Sequence, residues 1–547
     1  MAAELAQSPA SVDERLFSIF RTVWFGKDPA PRTYHIASTL FLRLLGFIYL
    51  IAFVSFWTQL DGLIGSNGIT PVQEYLPQVA RHYENQVPPE SSRWNVPTLA
   101  WISSSDRFLH LLCAAGSFAS VLLMIGVLPM PSLIFLWACY LSLVHAGQVF
   151  TSFQWDILLL ETGFIAIFLA PILRSRLFKD AHPPRLALWL LWWLLIRLMF
   201  ESGVVKLTWN DAVVPPAEPP VNRWETLTAM DYHYWTQPLP IWTSFYAAQL
   251  PQWFQKLSVL GVFLIEIGSA VLVFGPRWCR YIAAASIVFL MALIAATGNY
   301  NFFNLLTAVL AITLLDDRVW PQALQRRIEG PPCPRLFSDR SLRVWIVAPF
   351  FLFAVVAGAG QLRSAAFPGG RVAARQRQPI EQRLNVSQFF MVNSYGLFRR
   401  MTETRPEIAL EASLDGQNWK PYEFRWKPGD PAQRPRLVAP HQPRLDWQMW
   451  FEGLRHERIL QFRGRIPVRD MSPWFQRFLM RLSHQQEEVL NLLAKPPFAE
   501  PPRFFRMNLY QYQFADPDDA DPEDAAQGDY WWQRELVWQS GSWQRNR

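Results

Sequence analysis

Charge is what this chain has least of. Asp, Glu, Lys and Arg make up 17% of its 547 residues, against roughly a quarter in an ordinary soluble domain. Cysteine is also scarce. Cys113, Cys139, Cys279 and Cys333 all fall in or beside apolar runs, and the C-terminal third has none, which argues against a disulfide framework or a Cys-based metal site. No His spacing fits a metal centre, and there is no nucleophile elbow, phosphate-binding loop or dinucleotide fingerprint, so no metal or cofactor is expected. The net charge of +7 is not gathered into a basic run, and no nucleic-acid partner is expected. The N-terminus opens with Glu4, Asp13 and Glu14, which is not the basic start of a cleavable signal peptide. The last residues carry no retention signal.

Apolar residues, by contrast, reach 51%, with 40 Phe and 26 Trp, a balance that suits a membrane protein with a soluble appendage. Runs near bilayer-spanning length occur at 37–57, 108–128, 131–150, 153–173, 186–206, 257–275, 279–297, 302–316 and 343–360, so a polytopic α-helical bundle of about nine spans is expected. An interfacial helix is expected over 11–25, where Ser11 and Glu14 form a capping box, within an N-terminal segment 1–36. The membrane domain would then cover 37–360, with two long polar loops at 58–107 and 207–256.

Short loops rich in Lys and Arg face the cytoplasm. The connections 174–185, 276–280 and 317–342 hold such residues, among them Arg174, Lys179, Arg277, Arg280 and Arg326, whereas 146–152 and 298–301 hold none. Nine spans with the N-terminus inside therefore send both long loops and the C-terminal domain to the periplasm or a luminal equivalent.

After Gly360 the composition turns soluble. Ile408, Leu410, Ala412 and Leu414 alternate with polar residues, Asp415-Gly416 signals a turn, and Tyr422, Phe424 and Trp426 resume the alternation. Trp447, Met449 and Phe451 read as a further strand, Pro473 onward as a helix, and Phe504–Phe514 as a strand. A β-rich α+β domain is expected over 380–515, followed by an acidic linker and aromatic tail over 516–547, with Asp516–Asp529 disordered.

Ionisable residues inside the spans are the main candidates for chemistry, because a charge at the bilayer centre costs about 2.5–3.5 kcal/mol on insertion scales. Arg197 and Glu201 are four apart and can pair on one helix face. Lys206 is the most interesting single residue, since a lysine desolvated among apolar side chains can serve as a base. Glu161 and Glu266 sit in apolar surroundings and must be protonated or paired. Asp156 stands near a span end, where charge costs little. Either these residues fix helix register or they form a site, and the two readings have equal weight. Asn299, Asn301 and Asn304 suit local turn satisfaction, and His145 a structural hydrogen bond.

Five runs carry a likeness to a known family: GQVFTSFQWDILLLETGF (147–164), LTAMDYHYWTQPLP (227–240), TGNYNFFNLLT (297–307), VNSYGLFRRMTETRPEI (392–408) and APHQPRLDWQMWF (439–451). With LIGSNGITP (63–71), they resemble the lipase maturation factor family over nearly the whole chain after residue 30. The resemblance implies a multi-pass membrane protein, resident in the endoplasmic reticulum in eukaryotic relatives, that helps secreted lipases fold and assemble. The partners implied are a secreted lipase or other client and the lipid bilayer. It also implies that clients are engaged within 380–515, where Trp447, Trp450 and Phe451 are candidates. The Pro-rich piece 211–223 departs from the family pattern. The missing retention signal and missing luminal cysteines favour a bacterial inner membrane with a periplasmic C-terminal domain. More weakly, MFESGVVKL (199–207) is similar to a segment of the vitamin K-dependent carboxylase group, which implies an alternative in which Lys206 is a catalytic base. A transporter is a third reading, without an inverted repeat to support it.

Overall fold

The computed structural model describes residues 33–86, 90–173, 183–208, 221–326, 342–367, 379–498, 500–516 and 531–544. The interfacial helix expected over 11–25 lies outside the described residues, as does the acidic stretch after Asp516.

The apolar runs become helices: α1 His35–Trp57, α2 Asp106–Ile125, α3 Pro129–Ala146, α4 Gln154–Leu169, α5 Arg185–Thr208, α6 Gln252–Leu272, α7 Arg277–Thr297, α8 Phe303–Ile312 and α9 Leu342–Ala366. Their ends follow local chemistry. Gly126, at φ +76, caps α2 in the left-handed region, and Pro129 opens α3. Gly116 lets α2 approach α1: a Cβ there would stand 2.4 Å from the Phe53 ring. Small residues at such crossings are how membrane helices pack closely.

Among the described residues, seven helices are long and apolar enough to cross a bilayer. Two of the expected spans are shorter. Helix α4 has 16 residues and α8 has 10, or about 24 Å and 15 Å of helix. Helix α4 ends at Ala170-Pro171, where the proline forbids continuation. Both are wrapped by other helices, α4 by α3 and α5 and α8 by α7 and α1, so a shorter element suffices there.

The two long loops are folded. The first contains Leu60–Ile64 and Val72–Glu84, the second Met230–Thr236 and Trp242–Ala248, all helical.

The C-terminal region is an antiparallel sheet with helices. Strands β1 Pro406–Ser413, β2 Lys420–Tyr422, β3 Phe504–Phe514 and β4 Trp532–Gln539 lie in the order β2-β1-β3-β4, and β5 Trp543–Gln544 extends the β3 pairing. Leu410 sits opposite Tyr422 on one side and Met507 on the other, which keeps apolar side chains on one face. Gly416, at φ +79, makes the expected turn, and the Asp415 carboxylate is held well below its ordinary range by the Asn418 and Gln417 N–H groups it accepts.

Three expectations fail here. The hairpin ends at Tyr422 and does not run on through Phe424 and Trp426, because the Trp426 and Lys427 N–H groups donate to Asp446 Oδ1 at 2.9 and 3.0 Å instead of to a strand. The strand expected at Trp447–Phe451 is part of a helix, α10 Arg444–Arg463. The aromatic tail is not a tail: Trp532 is buried and starts β4. Helix α11, Pro473–Ser483, is as expected, with Pro473 at its first turn and Trp474, Phe478 and Leu482 buried.

Candidate functional site: the seam between bundle and sheet

Many buried polar residues of the bundle lie toward the end where α1, α3, α5 and α7 finish and α2, α4, α6 and α8 begin, and the C-terminal domain sits on that end. Four polar anchors cross the seam, and one ion pair beside it lies within the bundle.

The first is Asp156 in the opening turn of α4. Arg444 donates to both its carboxylate oxygens at 2.9 Å, and Tyr140 donates to Oδ1 at 2.5 Å. Arg444 also donates to the Phe150 carbonyl at 2.6 Å. Both side chains of the pair are fully buried. Asp156 is therefore not an interfacial carboxylate of small cost, as its position suggested, but half of a buried ion pair between the two domains.

The second joins Glu161 to Arg197. Glu161 Oε2 further accepts from the Asn393 main chain at 2.8 Å, its amide at 3.0 Å and the Tyr395 hydroxyl at 2.8 Å. Arg197 donates to the Asn393 carbonyl at 2.7 Å and to Gln361 Oε1 at 3.0 Å. Glu201 accepts the Tyr395 N–H at 2.7 Å. The i,i+4 spacing of Arg197 and Glu201 thus does not yield their ion pair; Arg197 reaches across to α4, and Glu201 holds the chain entering the sheet domain.

Lys206 and Glu266 form the ion pair within the bundle, between α5 and α6. The ammonium lies 2.7 and 2.6 Å from the two carboxylate oxygens, 3.1 Å from the Ser202 carbonyl and 5.1 Å from the Trp224 ring centre. The five candidate ionisable residues are thereby divided into two separate groups, one around Glu161 and one around Lys206.

The third anchor uses neutral groups. Asn299, between α7 and α8, accepts the Val438 and Ala439 N–H groups at 2.8 and 2.9 Å and donates to the Arg436 carbonyl at 2.8 Å. Its partners are thus mainly in the distant domain, not its own turn. The fourth is ionic: Arg405, fully buried, donates to the Trp235, Gln237 and Pro238 carbonyls and pairs with Glu407 at 2.9 Å.

Histidines line the same seam. Ser55 Oγ accepts the Gln442 N–H at 2.8 Å, leaving its own proton for His441 Nδ1 at 3.0 Å. Burial and the nearby Arg444 and Arg425 hold His441 down to about 4, and burial with Lys206 does the same for His233, so both are neutral at pH 7. In the first turn of α10, burial pushes Asp446 up to about 6 against the two N–H groups it accepts. His145 donates from Nε2 to the Gln388 carbonyl at 2.8 Å, the structural role its position implied.

Of the three aromatic candidates for client contact, Trp447 is buried against Trp155, ring centres 4.8 Å apart, and Trp450 is buried with its indole N–H on the Thr236 carbonyl at 2.9 Å. Trp447 thus packs on a bundle helix and Trp450 on the folded loop between α5 and α6. Phe451 is 45% exposed. No group of His, Cys, Asp and Glu among the described residues has the makings of a metal site.

Arg405, Arg444, Asn393 and Tyr395 were not singled out from sequence, although all lie within the runs 392–408 and 439–451. For Arg444 the signal was a cation leading into the aromatic run Trp447–Phe451, without the partner that explains it.

The arrangement defines a class: an integral multi-pass membrane protein whose C-terminal sheet domain is fastened to the helical bundle by buried polar contacts. The lipase maturation factor transmembrane domain matches residues 36–322, and the lipase maturation factor C-terminal domain matches residues 391–541. Lipase maturation factor 2 from Gallus gallus is 35% identical, covering 91% of this chain and 80% of the relative; the Homo sapiens protein of that name is 34% identical, covering 91% and 81%. Lipase maturation factor 1 from Homo sapiens is 31% identical, over 94% of this chain and 89% of its own. No solved structure matches. The chain belongs to the lipase maturation factor family.

Proposed function

We propose that this protein assists the folding, assembly or maturation of a secreted lipase or related client, with the C-terminal domain as the part that meets it. What carries the reading is that the likeness to lipase maturation factors runs through both domains and the seam between them. Support comes from apolar side chains that the domain leaves in solvent, among them Phe451, Phe462 and Val468, the last two at 62% and 64% exposure; exposed apolar surface gives incompletely folded chains something to bind.

On this reading the bundle is scaffold and anchor. Arg185 and Arg277 begin α5 and α7 at the end away from the sheet domain, which supports a cytoplasmic placement of that end and a periplasmic or luminal placement of the domain. The Glu161–Arg197 and Lys206–Glu266 pairs hold helices in register. The Lys206 ammonium, which the carboxylase likeness marks as a base, is committed to both oxygens of Glu266.

The test is secretion of an active lipase from cells carrying Phe451→Ser, Phe462→Ser and Val468→Ser together, with the membrane level of the protein measured alongside. The expected result is a several-fold fall in secreted activity at unchanged protein level; unchanged secretion would refute the reading.

A further inference from the structure

We propose that the last part of the loop between α5 and α6, from Trp242 to Phe254, is seated in the bilayer leaflet on the sheet-domain side, with the lipid headgroup layer as its partner. The sequence sets this part off from the rest of the loop. Between Asp231 and Lys256 there is no Asp, Glu, Lys or Arg, and the intervening 24 residues include three Trp, three Tyr and two Phe. Uncharged, aromatic-rich chain is what settles at headgroup depth.

The fold holds this part at the depth where the spans end. The Thr243 hydroxyl donates to the Ala296 carbonyl in the last turn of α7, so the Trp242–Ala248 helix starts beside a membrane helix and not beyond it. Past its other end, the Gln255 amide in the first turn of α6, itself buried, donates to the Ala247 carbonyl at 2.7 Å. The short helix is thereby pinned to two spans.

Its uncovered side continues a surface that faces lipid. Along α6, Trp253, Leu257, Leu260 and Leu264 are exposed at spacings of four, three and four, which makes one stripe on the helix. On α7, Phe289 and Leu293 are exposed in the turns before Ala296. Trp242 and Tyr246 are four apart on the short helix and also exposed, and Leu250 and Phe254 carry the apolar surface round the turn into α6. With Tyr246 and Trp253 at 54% and 63% exposure, the strip is too open to be core. Lys256, one residue before Leu257, is the cation of this stretch, and its long side chain can reach phosphates from that depth. Helices of this kind lie in the interface with the apolar face about 5–10 Å into the headgroup and acyl boundary.

The back of the short helix carries the sheet domain. Phe245 packs against Phe514 at the end of β3 and against Trp531 just before β4, with ring centres 5.3 and 5.1 Å apart, and Arg434 stands 4.6 Å from the centre of the Trp242 ring. Seating the helix in the leaflet therefore brings this end of the sheet down to the membrane surface.

The experiment uses the full chain in nanodiscs of phosphatidylcholine and phosphatidylglycerol, with a nitroxide label on Tyr246→Cys in a Cys333→Ser background; Cys113, Cys139 and Cys279 are buried. Reference labels are Leu264→Cys, on the lipid stripe of α6, and Gln417→Cys, in the exposed turn after β1. The expected result is a ratio of oxygen to nickel-chelate collisions at Tyr246→Cys several-fold above that at Gln417→Cys and below that at Leu264→Cys. A ratio equal to that at Gln417→Cys overturns the proposal, because the helix then stands in water. Few collisions with either reagent also overturn it, because a second copy or another protein then covers the strip. A measurement on the unsubstituted protein guards against a misfolded variant: phosphatidylcholine carrying a diazirine next to its headgroup is expected to leave adducts within residues 242–254. Adducts found on the ends of other spans and absent from 242–254 would refute the leaflet seat.

Discussion

Arg444 and Asp156 are 288 residues apart in sequence, yet their two hydrogen bonds, each 2.9 Å, join the first helix of the sheet domain to the start of a bundle helix with neither side chain exposed. Removing one member of such a pair strands the other as a buried charge, at about 3–5 kcal/mol, whereas replacing both with apolar residues is often neutral. Arg444→Met and Asp156→Leu are each expected to lower the melting temperature of the detergent-solubilised protein steeply and to open the seam to protease. The double variant is expected to recover most of the loss. A double variant as unstable as the sum of the singles would show that the pair is not a coupled unit.

Lys206 and Glu266 allow the scaffold and chemical readings to be separated. With both carboxylate oxygens on the ammonium, Lys206→Met alone is expected to destabilise by several kcal/mol. Lys206→Met/Glu266→Leu is expected to restore both the melting temperature and lipase secretion. A double variant that melts like wild type but supports no secretion would mean that Lys206 acts chemically.

His441 makes the seam sensitive to acid. Its folded value of about 4 lies below the ordinary 6.5, so the unfolded chain takes up a proton below about pH 6.5 while the folded chain resists until about pH 4. The stability it contributes is present above that window and lost as pH falls through it, by at most about 3 kcal/mol. His233 behaves in the same direction. Melting temperature followed from pH 7 to pH 4.5 is expected to fall, and His441→Gln, which keeps an acceptor for Ser55, is expected to flatten part of that slope. An unchanged slope would show that His441 protonates without cost in the folded protein.

Burial geometry decides which parts of this architecture could be read in advance. Long apolar runs such as His35–Trp57 announce themselves because a bilayer demands length, and Asp415-Gly416 because a tight turn needs a positive φ. Trp447, Met449 and Phe451 misled because every residue from Arg444 to Trp450 is buried. A helix enclosed on all sides has no polar face, so its 3.6-residue period vanishes and chance alternation looks like a strand. Strand β4 was missed for the opposite reason: apart from Trp532 it is mostly exposed, and an exposed edge strand needs no alternation. The ionisable residues were legible as costly, but their partners were not. Arg444 for Asp156 and Asn393 for Glu161 come from another domain, and no spacing rule reaches across a fold.

Gly453 offers the last test, of how closely α10 lies on the sheet. A Cβ there would stand 2.3 Å from the Pro406 carbonyl oxygen at the start of β1. That oxygen belongs to a strand paired along its length with β3, so it cannot swing aside as a side-chain tip would. Alanine gains about 1 kcal/mol over glycine in a helix interior, while overpacking a well-filled contact costs about 1–3 kcal/mol and more where backbone must move. The clash is expected to win, so Gly453→Ala should unfold at lower temperature than wild type and Gly453→Val at lower temperature still. Since α10 also carries Arg444, the displacement should weaken the ion pair to Asp156, and Gly453→Ala combined with Asp156→Leu should cost less than the two changes added. An alanine variant that melts at or above wild type would mean that helix and strand can part without disturbing the seam.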